Sequence, residues 1–241
     1  MPTSGDVTLP ATWSSTQAVK IAALGGKAFY APDVVVTSDF VAVMAGTGDR
    51  EKPLLISKIL GSGVSEGFFM VKDTKLGQAP RATALTTSDL ALIATVNKDT
   101  MLVEPAVPNA SLLDNGCFMT LASNGEKVVN APTTIGGVAY FGTNRPTPAN
   151  AQVCQAGLGE AYAYKFPLFC RTPTSTKLAS GGLPPSPVAG IVTVDVGGKP
   201  TQVQFVIGGG QRGSPFAPEQ PQPAVAPIRQ RQFWYINNSN R

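Results

Sequence analysis

Short apolar runs separated by glycine and proline predict a chain built almost entirely from β-strands. The clearest case is Gly125–Asn144, where the runs Lys127–Ile135 and Val138–Gly142 are separated by Gly136-Gly137. A Gly-Gly pair suits a two-residue hairpin turn, because both central positions can take a positive φ without strain at Cβ. We therefore predict a tight β-hairpin at this point of the chain.

The register of this hairpin follows from the position of its turn. Ile135 lies opposite Val138, and Tyr140 shares their face, whereas Ala139 and Phe141 point to the other face. Both faces are then apolar, and we expect the hairpin to be covered on both sides.

The same order of features occurs three times along the chain. Each copy has Ala-Pro or Ser-Pro, an apolar run, a turn, a second apolar run, a glycine corner, a loop and an aromatic strand. The prolines stand at positions 32, 132 and 187, at intervals of 100 and 55 residues. The shorter interval is the size of one β-propeller blade with a loop insertion. The sequence therefore predicts an all-β fold and a partial β-propeller, with a β-sandwich as the alternative.

Residues 1–241 are interpreted as a single portion of such a domain, with about three to four blades. The blade-like repeats are residues 27–73, 117–165 and 181–236, and the outer strand of the third is Gln232–Ile236. Residues 74–116 are an insertion or a degenerate blade, and Thr86–Ile93 within them is the best helix candidate. The repeat prolines lack a backbone donor and should begin strands. The glycine corners at Gly46, Gly142 and Gly208 should let the chain turn near a crowded axis.

Composition excludes several classes of function. Histidine is absent, which removes the commonest general base and zinc ligand. The net charge is +4 but no Lys/Arg cluster exists, which argues against nucleic-acid binding. No apolar run is long enough for a transmembrane segment, and Met1–Asp6 lacks the pattern of a signal peptide.

Three cysteines and a few charged loop residues are the candidates for chemistry. Cys154 and Cys170 lie 16 residues apart and would suit a disulfide in an exported protein, whereas free buried thiols in a cytosolic chain are the alternative. The corner Asp49-Arg50-Glu51 is either a solvated loop with an ion pair or a partner-binding or ion-binding loop.

Arg145 and Arg212 follow the matching corners of the second and third copies. Arginines at three equivalent places predict a structural role, such as bonding carbonyls of the neighbouring blade.

Several ordered motifs resemble the C-terminal domain of the PilC/PilY family, type IV pilus biogenesis and tip-adhesin proteins of Gram-negative bacteria. The motifs are Ala45–Pro53, Gly67–Asp73, Gly125–Pro132, Tyr140–Asn144, Leu183–Ala189, Phe205–Gly210 and Phe233–Tyr235. The resemblance implies a β-propeller shaped like quinoprotein dehydrogenases, with no catalytic residues, exported to the periplasm, the outer-membrane surface or the pilus tip. Implied partners are minor pilins and, for cell adhesion, host or abiotic surfaces.

The resemblance also implies calcium dependence in some family members. Metal ion binding needs several carboxylates in one loop, and no Asp-x-Asp-x-Asp-Gly loop is present here. No calcium site is therefore assigned, and no other cofactor is predicted. Two other interpretations stay open: a fragment of a quinoprotein-type dehydrogenase, and a truncated propeller piece without function.

Overall fold

The computed structural model describes most of the chain. It covers residues 19–51, 66–74, 81–122, 125–147, 157–208 and 218–219. Cys154, Arg212 and the predicted strand Gln232–Ile236 lie outside these ranges. Within them, no helix has the length and apolar character needed to cross a membrane.

Strands dominate the described residues, and the helical structure consists of two 3₁₀ turns, Thr87–Asp89 and Ala110–Leu112. In chain order the strands are β1 (Ala22–Ala23), β2 (Asp33–Val36), β3 (Val41–Gly46), β4 (Gly67–Asp73), β5 (Leu85–Thr86), β6 (Ala91–Val96), β7 (Val103–Pro105), β8 (Gly116–Thr120), β9 (Lys127–Val128), β10 (Thr133–Ile135), β11 (Val138–Arg145), β12 (Glu160–Pro167), β13 (Thr174–Lys177), β14 (Val188–Val196), β15 (Lys199–Ile207) and β16 (Pro218–Glu219).

The first sheet has six strands in the order β2-β3-β4-β8-β6-β7. Its neighbours pair antiparallel except β6 and β8, which run parallel. Strand β4 is apolar on both faces, and both faces are buried. Phe68 and Met70 enter the main core, whereas Phe69 and Val71 enter a smaller cluster with Leu90 on the opposite side. Covering both faces explains why β4 shows a continuous apolar run rather than alternation.

The second sheet contains the predicted hairpin. Its path is β10-β11-β12-β13, and β9 also pairs with β11. Ile135 lies opposite Val138 as predicted, and Gly136 and Gly137 have φ angles of 62° and 80°. Tyr140 and Phe141 point to opposite faces and are 1% and 0% exposed, so the prediction of cover on both sides is confirmed.

The first and second sheets pack face to face through aromatic rings. Phe68 of β4 stacks on Phe141 of β11 with ring centroids 3.9 Å apart. Phe166 of β12 lies 5.1 Å from the ring of Phe68. Tyr164 continues the stack 5.2 Å from Phe141. Because these rings are large and dry, this junction holds the main core together.

The third sheet is the hairpin of β14 and β15, with β16 at its edge. Gly197 and Gly198 form its turn, with φ angles of 62° and 79°. Most of the hairpin is exposed, including Ile191 at 61%. The segment before it contacts the second sheet, where the Thr133 hydroxyl donates to the Pro187 carbonyl at 2.9 Å.

The all-β, propeller-like class is confirmed: the described residues form separate blade-like sheets and no closed barrel. Pro32, Pro132 and Pro187 each stand immediately before a strand, namely β2, β10 and β14. A missing donor costs least there, as the sequence predicted.

The helix predicted for Thr86–Ile93 is wrong. The Asp89 carboxylate accepts from the backbone N–H of Thr86 at 2.7 Å and closes a single 3₁₀ turn. The chain then enters β6, where Ala91 and Ile93 are buried in the core against the parallel partner β8. Burial in the sheet outweighs the weak local preference for a helix.

Strand β8 lies in the first sheet, between β4 and β6, although the sequence grouped Cys117–Leu121 with the second repeat. Strands β6 and β7, from the predicted insertion at 74–116, extend that same sheet. The blade boundaries themselves remain a prediction. Pairing between strands that are distant in sequence leaves no local signal, which is why the repeat pattern did not indicate this arrangement.

Candidate functional site

The polar corner Asp49–Glu51 is held by a short network of charged groups. Lys27 lies 3.0 Å from a carboxylate oxygen of Asp49 and 3.0 Å from one of Glu51. Its hydrogen bond to Asp49, and to a smaller extent its hydrogen bond to Glu51, raise the pKa of Lys27. Arg50 donates to the Tyr30 hydroxyl, and its guanidinium lies 5.6 Å from the centre of that ring. The arginine therefore contacts an aromatic side chain of its own repeat, and among the described residues it makes no hydrogen bond to a neighbouring carbonyl.

The glycine of this corner allows another segment to approach closely. A Cβ at Gly46 would lie 2.5 Å from the Val128 side chain, which is closer than atoms can pack. The N–H of Val128 donates to the Thr47 carbonyl at 3.1 Å. Gly46 does not have a positive φ, so this corner does not use the backbone freedom of glycine, and a role in turning the chain stays a prediction. A glycine is needed at this position because any side chain would collide with Val128.

The corner of the second sheet repeats this arrangement. A Cβ at Gly142 would lie 2.6 Å from Asn130 Nδ2 and 2.6 Å from Pro184 Cγ. The Asn130 amide oxygen accepts from the Gly142 N–H at 2.7 Å, and its Nδ2 donates to the Pro185 carbonyl at 2.9 Å. Asn130 thus joins the second sheet to the segment that leads into the third. Gly208, the corner of the third copy, has a positive φ of 93°.

A buried carboxylate connects the first two sheets. Glu126 is fully buried and accepts from the Ala122 N–H at 2.8 Å, the Thr143 hydroxyl at 2.6 Å and the Tyr164 hydroxyl at 2.8 Å. Burial raises the pKa of Glu126, and the three donors act in the opposite direction. Because Ala122 follows β8 while the other two donors lie on β11 and β12, this network is a structural link.

A second cluster of charged side chains lies where β11 ends and β12 begins. The Glu160 carboxylate accepts from Arg145, from Tyr162 at 2.8 Å and from Lys177 at 2.6 Å. Sheet register creates the cluster, because Arg145 pairs across the strands with Glu160, and Tyr162 pairs with Lys177. The hydrogen bond from Lys177 is the largest cause that lowers the pKa of Glu160 to about 2.

These side chains form the base of a cleft of about 290 Å³ between the first and second sheets, here called the Glu160 cleft. Its other wall is the turn between β6 and β7. The residues that line it are Asp99, Thr100, Met101, Leu102, Arg145, Glu160, Tyr162, Ser175 and Lys177. Burial raises the pKa of Tyr162, and its bond to Glu160 adds to this, so the phenol stays protonated.

The structure therefore separates the predicted site residues. Lys27 joins Asp49 to Glu51, Arg145 belongs to the Glu160 cleft, and Arg212 lies outside the described residues. Glu160 and Lys177 were missed. In a strand, Glu160 and Tyr162 lie on the same face because side chains alternate. This alternation could have indicated that these two members of the cluster lie together. Strand β13, which supplies Lys177, has no strong apolar pattern.

The disulfide differs from the predicted pair. Cys170 is bonded to Cys117, with an S–S distance of 2.16 Å and Cα atoms 5.9 Å apart, so the pairing of Cys170 with Cys154 is wrong. Cys117 lies on β8 of the first sheet, and Cys170 lies in the turn after β12 of the second. Face-to-face packing of the sheets brings them together over 53 residues of sequence, and spacing alone favoured the nearer cysteine.

Comparison with solved structures finds a domain of similar structure. The chain is similar in structure to the C-terminal domain of PilY1 from Pseudomonas aeruginosa. The TM-score is 0.49 at 14% sequence identity, and the match covers 78% of this chain and 45% of that domain. The chain thus spans less than half of the length of the PilY1 domain. No protein-family model and no curated protein matches the chain.

Proposed function

We propose that this chain is part of an exported, non-catalytic protein of the type IV pilus machinery, acting by binding minor pilins at the pilus tip. The observation that supports the proposal is that two motifs resembling the PilC/PilY family, Gly125–Pro132 and Leu183–Ala189, lead into equivalent hairpins. In each, a proline stands at or immediately before the first strand of the hairpin, and a Gly-Gly pair forms its turn. These matching places agree with a repeated scaffold.

The disulfide supports the part of the proposal that concerns location. Cys117 and Cys170 are bonded across the two sheets, and structural disulfides persist in oxidising compartments such as the periplasm and the cell surface. The reducing cytosol would keep both thiols free. Export of the protein therefore agrees with its covalent structure.

The polar corner Asp49–Glu51 is the surface we assign to the partner. Arg50 is an exposed cation held over the Tyr30 ring, and Glu51 is 68% exposed at its side chain. A cation fixed on an aromatic ring loses little freedom on binding, and arginine and tyrosine are enriched in the central contacts of protein interfaces. Host or abiotic surfaces are further partners for the same corner.

Binding of purified minor pilins from the same organism tests this function. Immobilised wild-type protein should retain at least one minor pilin, and Arg50→Ala should retain clearly less while melting at an unchanged temperature. Lys98→Ala is the matched control, since it removes an exposed cation from a different turn. Failure of the wild-type protein to retain any minor pilin would contradict the proposal.

A further inference from the structure

The Glu160 cleft contains more hydrogen-bond donors than its own carboxylate uses. Two cations, Arg145 and Lys177, share the single carboxylate of Glu160, which leaves one positive charge at the base. Arg145 carries five N–H donors and Lys177 carries three, and the described structure shows one bond from each to Glu160. Donors therefore remain for an additional acceptor.

One of these donors is already withdrawn from water. Arg145 Nε has no hydrogen-bond partner among the described residues and is inaccessible to solvent. An unpaired buried donor is destabilising, and functional sites are a common place for such a group. Lys177 is 58% exposed at its side chain, so it is accessible to a bound group.

The opposite wall supplies apolar surface without adding net charge. Met101 is held with a φ of 58°, in the turn that also exposes Leu102. Asp99 in this turn forms an ion pair with Lys98 at 2.7 Å, which neutralises that side of the mouth. The cleft therefore combines a donor-rich, positive base with a small aliphatic wall.

We propose that the Glu160 cleft binds a small ligand that carries an oxyanion, a carboxylate or a phosphate, on a short aliphatic body. The oxyanion accepts from Lys177 and from the terminal N–H groups of Arg145 that Glu160 does not use, since the buried Nε is out of reach, and the body contacts Met101 and Leu102. A volume of about 290 Å³ admits one residue of a peptide or a compound of similar size. This site is independent of the proposed role in the pilus.

Glu160 has a positioning role in this arrangement. Its carboxylate fixes the directions of Arg145, Tyr162 and Lys177, because each donates to it. Oriented cations bind an oxyanion more tightly than mobile ones, since less side-chain freedom is lost.

The test uses the intact chain with its methionine methyl groups labelled with carbon-13. The sequence has five methionines, and the Met101 signal is assigned as the one missing from Met101→Leu. The probes are N-acetyl-leucine, which has a carboxylate, N-acetyl-leucinamide, which lacks it, and monobutyl phosphate. The Met101 signal should shift in a saturable way with N-acetyl-leucine or monobutyl phosphate and stay in place with the amide. The tighter of the two anions identifies the natural oxyanion.

Two charge variants make the test specific. Lys177→Gln should weaken the binding roughly fivefold or more, as loss of a charge-assisted hydrogen bond predicts. Lys199→Gln removes the same charge at the exposed turn of the third sheet and should leave the affinity unchanged. Equal weakening by both variants, equal shifts by the amide, or no saturable shift with either anion would overturn the proposal.

Discussion

The bond between Cys117 and Cys170 should make a large contribution to stability because it joins the two main sheets. Its removal is best measured as Cys170→Ala in a Cys154→Ala background, so that no other cysteine can take its place. Cys170 has a φ of 56°. Alanine at this position has the same backbone strain as cysteine, so the substitution reports on the loss of the bond.

The magnitude follows from the length of the closed loop. The bonded cysteines are separated by 53 residues. Closing a loop of this size in the unfolded chain reduces its entropy by an amount that corresponds to about 4 kcal/mol at 25 °C. For a chain of this size, the melting temperature should fall by roughly 8–16 °C.

Urea denaturation followed by far-ultraviolet circular dichroism provides the assay. Free energies of unfolding are compared rather than midpoints, since loss of the cross-link exposes more of the unfolded chain and raises the m-value. A reducing agent should lower the stability of the Cys154→Ala protein and leave the double variant unchanged. Equal stability of the two proteins, or a non-reduced peptide map of the wild type that joins Cys154 to Cys170, would refute the reasoning.

Three further predictions concern the sheet junction and the cleft. Gly46→Ala should lower the free energy of unfolding, measured by urea denaturation, by about 1–3 kcal/mol because the new methyl group overpacks against Val128. Adding Val128→Ala should recover part of that loss. Strictly additive losses in the double variant would contradict the close approach of the two residues. Tyr164→Phe should cost about 1–3 kcal/mol because a buried carboxylate loses a donor, and an unchanged melting temperature would show that the bond is unimportant. Lys177 holds the pKa of Glu160 at about 2, below the ordinary 4.5. The wild type should therefore be more stable than Glu160→Gln by its full amount above pH 4.5, and this difference in the free energy of unfolding should shrink as the pH falls toward 2. A difference that does not change over this range would contradict the assigned ion pair.

Local chemistry made much of the second and third sheets predictable. The Gly136-Gly137 turn set the register next to it, with Ile135 opposite Val138 as expected, whereas the predicted run Lys127–Ile135 is divided into β9 and β10. The prolines marked strand starts because a residue without a donor has few other places in a sheet. Both signals act over a few residues, and the sequence contains them directly.

Contacts between segments that are distant in sequence could not be predicted in this way. The parallel contact of β6 with β8 and the bond between Cys117 and Cys170 depend on how whole sheets stack, so neither leaves a pattern in the local sequence. The Glu160 cleft has the same origin, since Lys177 reaches it from a polar strand. Arg145 was selected as a site residue by its position after a glycine corner, whereas its actual partner is set by the strand register.

The proposed function places the chain outside the cytoplasm, with type IV pili. Fractionation of cells that produce the protein from its own gene, with free thiols alkylated at lysis, tests this most directly. If the proposal is correct, the protein appears in the sheared-pilus or outer-membrane fraction with Cys117 and Cys170 protected from alkylation. Protein confined to the cytosol with both thiols alkylated would contradict it.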